Sequence, residues 1–239
     1  MNVAIIVAAG RGERAGAGRA KQFRELAGAP VLVHTLRRFD ECDTVGECVA
    51  VVPAEEIEQF EATARAHALR KLARVVAGGA TRAESVCRGL EATDAGARIV
   101  AVHDGVRPLV SPAEIDSVVR AAEEGGAAIL VAPVVDTIKE VIAGEIAQTF
   151  ERARRRRALT PQCFRRDLLA RACERALSGG EDATDDSVLV ERLGASVVAV
   201  EGDPRNIKLT RAEDFAFAEL LLRERSAFGS QHSAKQESR

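Results

Sequence analysis

Between Ala8 and Gln22 the chain carries Gly10, Gly12, Gly16 and Gly18 together with Arg11, Arg14, Arg19 and Lys21. Glycines let the backbone approach a ligand closely, and the cations surround that ligand with positive charge. The combination suits a polyphosphate. The segment follows the apolar run Val3 to Val7, so it opens as a loop at the end of a strand. Gly10 to Ala15 formally matches the GxGxxG/A dinucleotide fingerprint. That reading needs an acidic residue about 20 positions further on, at the end of the second strand, to hold the ribose. Here the second strand closes at Val52-Pro53, and Glu55 and Glu56 fall too far along. No P-loop pattern occurs either. The cations of this loop fit a triphosphate better than the pyrophosphate of a dinucleotide.

Three further segments could act on the same ligand. Gly78-Gly79-Ala80-Thr81-Arg82-Ala83-Glu84-Ser85 frees the backbone just ahead of a helix whose N-terminus points amides outward. Thr81 and Glu84 have capping-box spacing. Ser85 in the first turn could donate to a base or a phosphate, or simply fill space. In His103-Asp104-Gly105-Val106-Arg107-Pro108, Asp104 could bind a hydroxyl or a metal, and Arg107 could clamp a phosphate. His103 reads better as a packed histidine than as a base, because no Ser or Cys nucleophile accompanies it. Near the far end, Lys208 alternates with Ile207 and Leu209, which puts it on the opposite face from them, towards a cleft or towards solvent. Thr210 and Glu213 then offer a second capping box. The acidic run Glu181 to Asp186 fits no calcium loop and reads as capping and solvated charge.

The elements that must place these residues alternate in type. Strands are expected at Val3–Ala8, Glu47–Val52, Arg74–Ala77, Ile99–Val102, Ala127–Ala132 and Ser196–Val200. Helices are expected at Val31–Phe39, Ala54–Leu69, Thr81–Leu90, Pro112–Glu124, Arg165–Leu177, Thr184–Leu193 and Arg211–Arg225. This order predicts an α/β domain, Rossmann-like, with a mostly parallel sheet and helices on both faces. Such sheets bind ligands at the carboxyl ends of their strands, where all four segments fall. One stretch breaks the rhythm. Thr137–Ile142 and Glu145–Phe150 flank Ala143-Gly144 as a hairpin, within an insertion of about 136–160 that includes five arginines between Arg152 and Arg157. An isolated hairpin cannot bury both its faces, so this arm is expected to pack on a second subunit. Residues 1–225 are read as one domain and 226–239 as a polar tail without order.

Composition narrows the partners. A net charge of −2 gives no global attraction to nucleic acid or membrane. The absence of Trp and Tyr removes most stacking platforms for single strands. No apolar run approaches the roughly 20 residues of a membrane span. Five cysteines without a CxxC pair read as reduced thiols, and no secretory leader pattern is present, so a cytoplasmic location is expected.

Taken together, the segments resemble one family, the 2-C-methyl-D-erythritol 4-phosphate cytidylyltransferases of the nucleotidyltransferase superfamily. The resemblance covers about Val3 to Leu222. It rests on Ala8-Ala9-Gly10-x-Gly12 with Lys21-Gln22, Gly78-Gly79-x-x-Arg82-x-x-Ser85-Val86, His103-Asp104-x-x-Arg107-Pro108, Asp136-Thr137-Ile138-Lys139, Leu159-Thr160-Pro161-Gln162 and Asn206-Ile207-Lys208-Leu209-Thr210. It implies that Arg14, Lys21 and Lys208 are catalytic, contacting the CTP phosphates and the transferring group. It places the nucleotide on Ala8, Ala9, Gly10, Gly12, Gly78, Gly79, Arg82, Ser85 and Asp104. It places the sugar-alcohol phosphate on Asp104, Arg107, Thr137 and Arg152, the last two reaching across a homodimer. Mg²⁺ is expected to be held mainly by the CTP phosphates, with Asp104 as a possible ligand. Two positions depart from the family's common pattern: Ala20 where Pro often precedes the lysine, and Ala80 where an acidic residue can follow the paired glycines. A cytidylyltransferase for ribitol 5-phosphate or another polyol phosphate, an NAD-dependent reductase and a non-catalytic nucleotide binder are the alternatives.

Overall fold

The computed structural model describes residues 1–10, 20–179 and 185–236. The chain opens with strand β1 (Val3–Val7), then a 3-10 turn at Lys21–Phe23 and a short antiparallel pair, β2 (Glu25–Leu26) and β3 (Ala29–Pro30). Helix α1 (Val31–Glu41), strand β4 (Glu47–Val52), helix α2 (Ile57–Ala66), strand β5 (Leu72–Ala77) and helix α3 (Arg82–Glu91) follow. Then come β6 (Ile99–Asp104), α4 (Pro112–Gly125) and β7 (Ala127–Pro133). The arm is β8 (Lys139–Ile142) and β9 (Glu145–Thr149), after which β10 (Arg156–Arg165) returns to the body. Helices α5 (Arg166–Gly179) and α6 (Asp186–Glu191), strand β11 (Val198–Glu201) and helix α7 (Ala212–Gln236) complete the chain.

Seven strands form one sheet in the order β11-β7-β10-β6-β1-β4-β5. Every pairing in it is parallel except those of β10, which runs antiparallel between β6 and β7. The apolar runs explain this centre. β1, β4 and β6 are buried on both faces, which a Val/Ile/Ala-rich strand tolerates and a polar one does not. Side chains alternate across the pleat. Ala4, Ile6, Ala50 and Val52 pack with Leu32, Leu36, Phe39, Ile115 and Val119 on one face. Val3, Ile5, Val51 and Val102 pack with Val86, Leu90, Leu169 and Val190 on the other. A third, smaller cluster joins Val106, Leu109 and Leu209 to Phe215, Ala218 and Leu222 of α7.

The expected elements are present, with shifted ends. The single helix expected over Ala54–Leu69 is a 3-10 turn at Ala54–Glu56 followed by α2, and the chain turns at Ala68 with φ 51°. Thr184 lies outside the described residues, and α6 starts at Asp186 with Asp185 as its cap. α7 continues to Gln236, past the expected end at Arg225. Ala227, Gln231, Ala234, Lys235 and Gln236 are helix formers and no proline interrupts them. Its start also differs from the expected capping box. Asp214, not Glu213, reaches back to accept from the N–H groups of Thr210 and Arg211, at 2.6 and 2.7 Å.

The arm has the expected hairpin form. Ala143 (φ 52°) and Gly144 (φ 88°) make its turn, and two consecutive positive φ values match the twist of an antiparallel pair. Its apolar residues find little cover among the described residues: Val141, Ile142 and Ile146 are 59%, 62% and 65% exposed.

Candidate active site

Because the strands flanking the centre are parallel, Val7, Val52, Ala77 and Asp104 all end at one edge of the sheet. The backbone ladder runs one residue beyond them. Ala8 donates to Val51 O, Gly78 to Val52 O and Gly105 to Val7 O, at 2.7 to 2.8 Å. The loops carrying Ala8–Gly10, Gly78–Ser85 and Asp104–Arg107 therefore leave the sheet from fixed points.

Gln22 secures the first of these loops. Its side chain is buried, and its amide donates to Ala8 O at 2.7 Å and Gly10 O at 2.9 Å. Lys21 immediately precedes it at the head of the 3-10 turn. Ala20 has φ −52°, within the range a proline would impose, so the backbone keeps the usual entry to this lysine without the ring. Arg14 and Gly12 lie outside the described residues.

The second loop is held by its own helix. Thr81 caps α3, its hydroxyl accepting from Glu84 N at 3.1 Å. The Glu84 carboxylate reaches back to Ala80 N at 2.8 Å, one residue earlier than the expected capping box. Ser85 is buried, and its hydroxyl donates to Thr81 O and accepts from Gly79 N, at 2.9 and 3.1 Å. In this state Ser85 shapes the glycine turn. Gly78 is there for space, since a Cβ at that position would stand 2.1 Å from the Ala9 Cβ. Ala9 and Gly78 thus seal the two loops together.

Asp104 is the centre of the charged cluster. Its Oδ2 is 3.2 Å from Arg107 Nε and 3.1 Å from Lys208 Nζ, and its Oδ1 is 3.5 Å from Arg82. Burial alone would raise this carboxyl. Lys208, Arg82 and Arg107 override burial and hold it well below the usual carboxylate range. Lys208 comes from the far end of the chain, and of the two directions its sequence pattern leaves open it takes the one towards Asp104. Ile207 and Leu209 pack inward, Leu209 N donates to Val106 O at 2.9 Å, and the lysine between them faces Asp104.

Behind the cluster runs a chain of neutral hydrogen bonds. Asp104 N donates to Thr160 Oγ1, and the Thr160 hydroxyl meets His103 Nδ1 at 2.9 Å. His103 Nε2 meets Arg107 O at 3.2 Å. A carbonyl can only accept, so Nε2 carries the proton and Nδ1 accepts from Thr160. Burial pulls His103 down to about 4, which keeps the imidazole neutral. Asn206 donates to Thr160 O and accepts from Arg107, both at 2.8 Å. His103 is thus a buried bracket for Asp104 and Arg107, in keeping with its reading as a packed residue.

Arg82 leans on a second carboxylate that sequence reasoning misplaced. Asp186 was expected in a solvated acidic run; it is 1% exposed and lies 2.6 Å from Arg82. The pairing with Arg82 joins it to the start of α3, and local sequence cannot reveal that contact. Asp185 does cap, accepting from Val188 N at 3.1 Å. Gln162 ties this corner down, its carbonyl oxygen accepting from Asp186 N and Ser187 N at 3.0 Å each. Thr137 and Arg152 stand apart on the arm. Thr137 is exposed, and Arg152 donates to Val135 O at 2.8 Å, with no described bond from either to Asp104, Arg107 or Lys208.

A sheet edge with fixed glycine loops and three cations around one carboxylate can hold phosphates, and many nucleotide-binding proteins could share that description. The profile described as IspD, 2-C-methyl-D-erythritol 4-phosphate cytidylyltransferase, matches residues 2–224. The chain belongs to this family. The cytidylyltransferase of Symbiobacterium thermophilum is 45% identical over 221 residues, covering 92% of each chain. That of Geobacillus kaustophilus is 44% identical over 224 residues, covering 94% of this chain and 98% of the relative. The solved 4-diphosphocytidyl-2C-methyl-D-erythritol synthase of Anaerococcus prevotii superposes with a TM-score of 0.83 at 28% identity, covering 93% of this chain and 96% of the other. The cytidylyltransferase structure of Thermus thermophilus gives 0.75 at 32% identity, over 93% and 98%. Membership in the cytidylyltransferase family extends over both faces of the sheet and the arm, not over the glycine loop alone.

Proposed function

We infer that this chain transfers a cytidylyl group from CTP to 2-C-methyl-D-erythritol 4-phosphate, releasing pyrophosphate and forming 4-diphosphocytidyl-2-C-methyl-D-erythritol, a step of non-mevalonate isoprenoid biosynthesis. The observation that carries the reading is the convergence of Arg82, Arg107 and Lys208 on Asp104 at the carboxyl edge of the sheet.

The attacking group is a phosphate monoester, already anionic at neutral pH, so the reaction needs no general base. Its difficulty is bringing two anions together, which positioned cations offset. Lys208 and Arg107 rest on Asp104 and would turn from it to incoming phosphates. Lys21, and Arg14 outside the described residues, supply charge from the opposite loop. The Ala8–Gly10 backbone, Gly78, Gly79, Arg82 and Ser85 face the nucleotide. Asp104 remains for a substrate hydroxyl.

Among the described residues no group of three or more His, Cys, Asp or Glu is placed to hold a metal. Asp104 has its oxygens engaged by cations. Mg²⁺ is expected to arrive on the triphosphate, whose charge it partly neutralises.

The exposed Val141, Ile142 and Ile146 support a homodimer in which the arm brings Thr137 and Arg152 to the partner's sugar-phosphate site. No helix among the described residues is long and apolar enough to cross a membrane, and a cytoplasmic enzyme with no nucleic-acid partner fits that and the composition.

Pyrophosphate release tests the reading. The purified protein with CTP should release pyrophosphate only when 2-C-methyl-D-erythritol 4-phosphate is added, and ribitol 5-phosphate should give far less. Equal or greater turnover with ribitol 5-phosphate would move the protein to the other polyol. No release with either would remove the activity.

A further inference from the structure

We propose that Asp186 is a positioning residue for this reaction: it anchors Arg82, so that Arg82 stays on Asp104 when substrate phosphates draw Lys208 and Arg107 away. The inference rests on the cytidylyl-transfer reading.

Geometry gives the first argument. Arg82 is the first residue of α3, and its guanidinium spans two carboxylates. One nitrogen lies 2.6 Å from Asp186 Oδ1, and the other 3.5 Å from Asp104 Oδ1. The short bond is the grip and the long one is the reach. Arg's rigid fork turns a fixed position at one end into a fixed direction at the other.

Asp186 is also held more firmly than capping requires. Its N–H and that of Ser187 both donate to the buried Gln162 side chain, at 3.0 Å each. The Gln162 amide donates to Asp185 at 3.2 Å. Asp185 already caps α6, so Asp186 is not needed for that purpose.

The charge itself is costly where it stands. Asp186 is 1% exposed, and its Oδ2 is buried with no hydrogen-bond partner among the described residues. Burial raises its carboxyl against the pull of Arg82. Replacing both partners of a buried ion pair by apolar residues is often neutral, whereas removing Asp186 alone would leave the Arg82 guanidinium without its nearest partner.

Charge balance gives Asp186 its role. Three cations, Arg82, Arg107 and Lys208, surround Asp104, with Asp186 behind Arg82. Once Lys208 and Arg107 engage phosphates, Asp104 would face those anions alone unless Arg82 remained. An Arg82 without its anchor would be free to follow the phosphates. Asp186 thus keeps Asp104 compensated and aimed at the substrate through the reaction.

The test is a double-mutant cycle on the full-length protein: Asp186→Asn, Arg82→Gln, the double variant, and Asp186→Glu as the conservative change. Each is assayed with CTP and 2-C-methyl-D-erythritol 4-phosphate and melted thermally. Asp186→Asn should lower kcat/KM for the sugar phosphate roughly tenfold to a hundredfold, the range for losing a charged hydrogen bond. The double variant should be no worse than Arg82→Gln, because the two side chains act as one unit. Asp186→Glu should recover part of the loss, and carries the test if the amide variant does not fold. Losses that multiply in the double variant would overturn the proposal. So would an Asp186→Asn enzyme with wild-type kinetics, or losses that only track lowered melting temperature. A wild-type protein without turnover would contradict the reaction itself, whereas wild-type turnover with an unaffected Asp186→Asn contradicts only the role of Asp186.

Discussion

The sheet edge and the arm contribute to the proposed site in opposite ways. At the edge, nearly every group that shapes the site is fixed by a buried partner. Gln22 holds the backbone of Ala8 and Gly10, Ser85 that of Gly79, and Thr160 and His103 that of Asp104 and Arg107, with Asn206 on Thr160. The arm has a self-paired hairpin, exposed apolar side chains, and an Arg152 guanidinium bonded to a backbone carbonyl near its base. In the proposed site one chain would preorganise the half that meets the triphosphate, and the arm of a second chain would supply the other half. Preorganised charge is what phosphoryl chemistry uses most, so the edge should carry rate and the arm should carry substrate affinity.

That division can be broken at its strongest point first. Lys208→Ala should lower turnover by roughly a hundredfold to a thousandfold, as loss of one transition-state donor does, with little change in melting temperature because Lys208 is a partly exposed side chain. Lys21→Ala should behave alike, and near-normal turnover in both would sink the role given to the edge. A charge on the arm sharpens the contrast. Ile146→Asp should halve the mass in solution and remove most turnover while leaving the edge folded, measurable by light scattering and circular dichroism. Smaller again is Arg152→Ala, for which the KM of the sugar phosphate should rise about tenfold and that of CTP little, on the scale of one charged hydrogen bond. The reverse pattern would place Arg152 at the nucleotide.

The mildest effect is on stability against pH. His103 takes its proton near 6.5 in the unfolded chain and at about 4 when folded. Between those values the unfolded state binds more protons, so stability is full above the upper value and falls as pH drops towards the lower. The loss should approach about 3 kcal/mol, or several degrees of melting temperature. In His103→Gln that part of the slope should vanish. An unchanged slope would mean the ring is not the neutral bracket described.

Much of this edge could be read in the sequence, for physical reasons. The Val3–Val7, Glu47–Val52 and Ile99–Asp104 runs are buried on both faces, and continuous apolar runs carry that signal locally. The glycines and cations of the loops are likewise local. Strand β10 was less legible. It begins in an arginine run and earns its place only by pairing with β6 and β7, a non-local choice that periodicity does not encode. Asp186 was hidden for the same reason, because an acidic pair ahead of an apolar run reads as a cap until Arg82, distant in sequence, is seen beside it. Gln22 and Gln162 gave no signal beyond their neighbours in the motifs, since an amide that pins a loop resembles any other amide. The cap of α7 shows the limit of spacing rules: Glu213 had the expected offset, but helix entry one residue later gave the bond to Asp214.

The composite site can be tested most directly by complementation. A chain carrying Lys208→Ala and a chain carrying Thr137→Ala with Arg152→Ala are each purified, mixed, and allowed to exchange subunits. If the arm serves the partner's site, a mixed dimer holds one site with Lys208 from one chain and an intact arm from the other. Pyrophosphate release with CTP and 2-C-methyl-D-erythritol 4-phosphate should then rise well above the sum of the two separate variants. A mixture that exchanges subunits but stays at that sum would contradict the shared site.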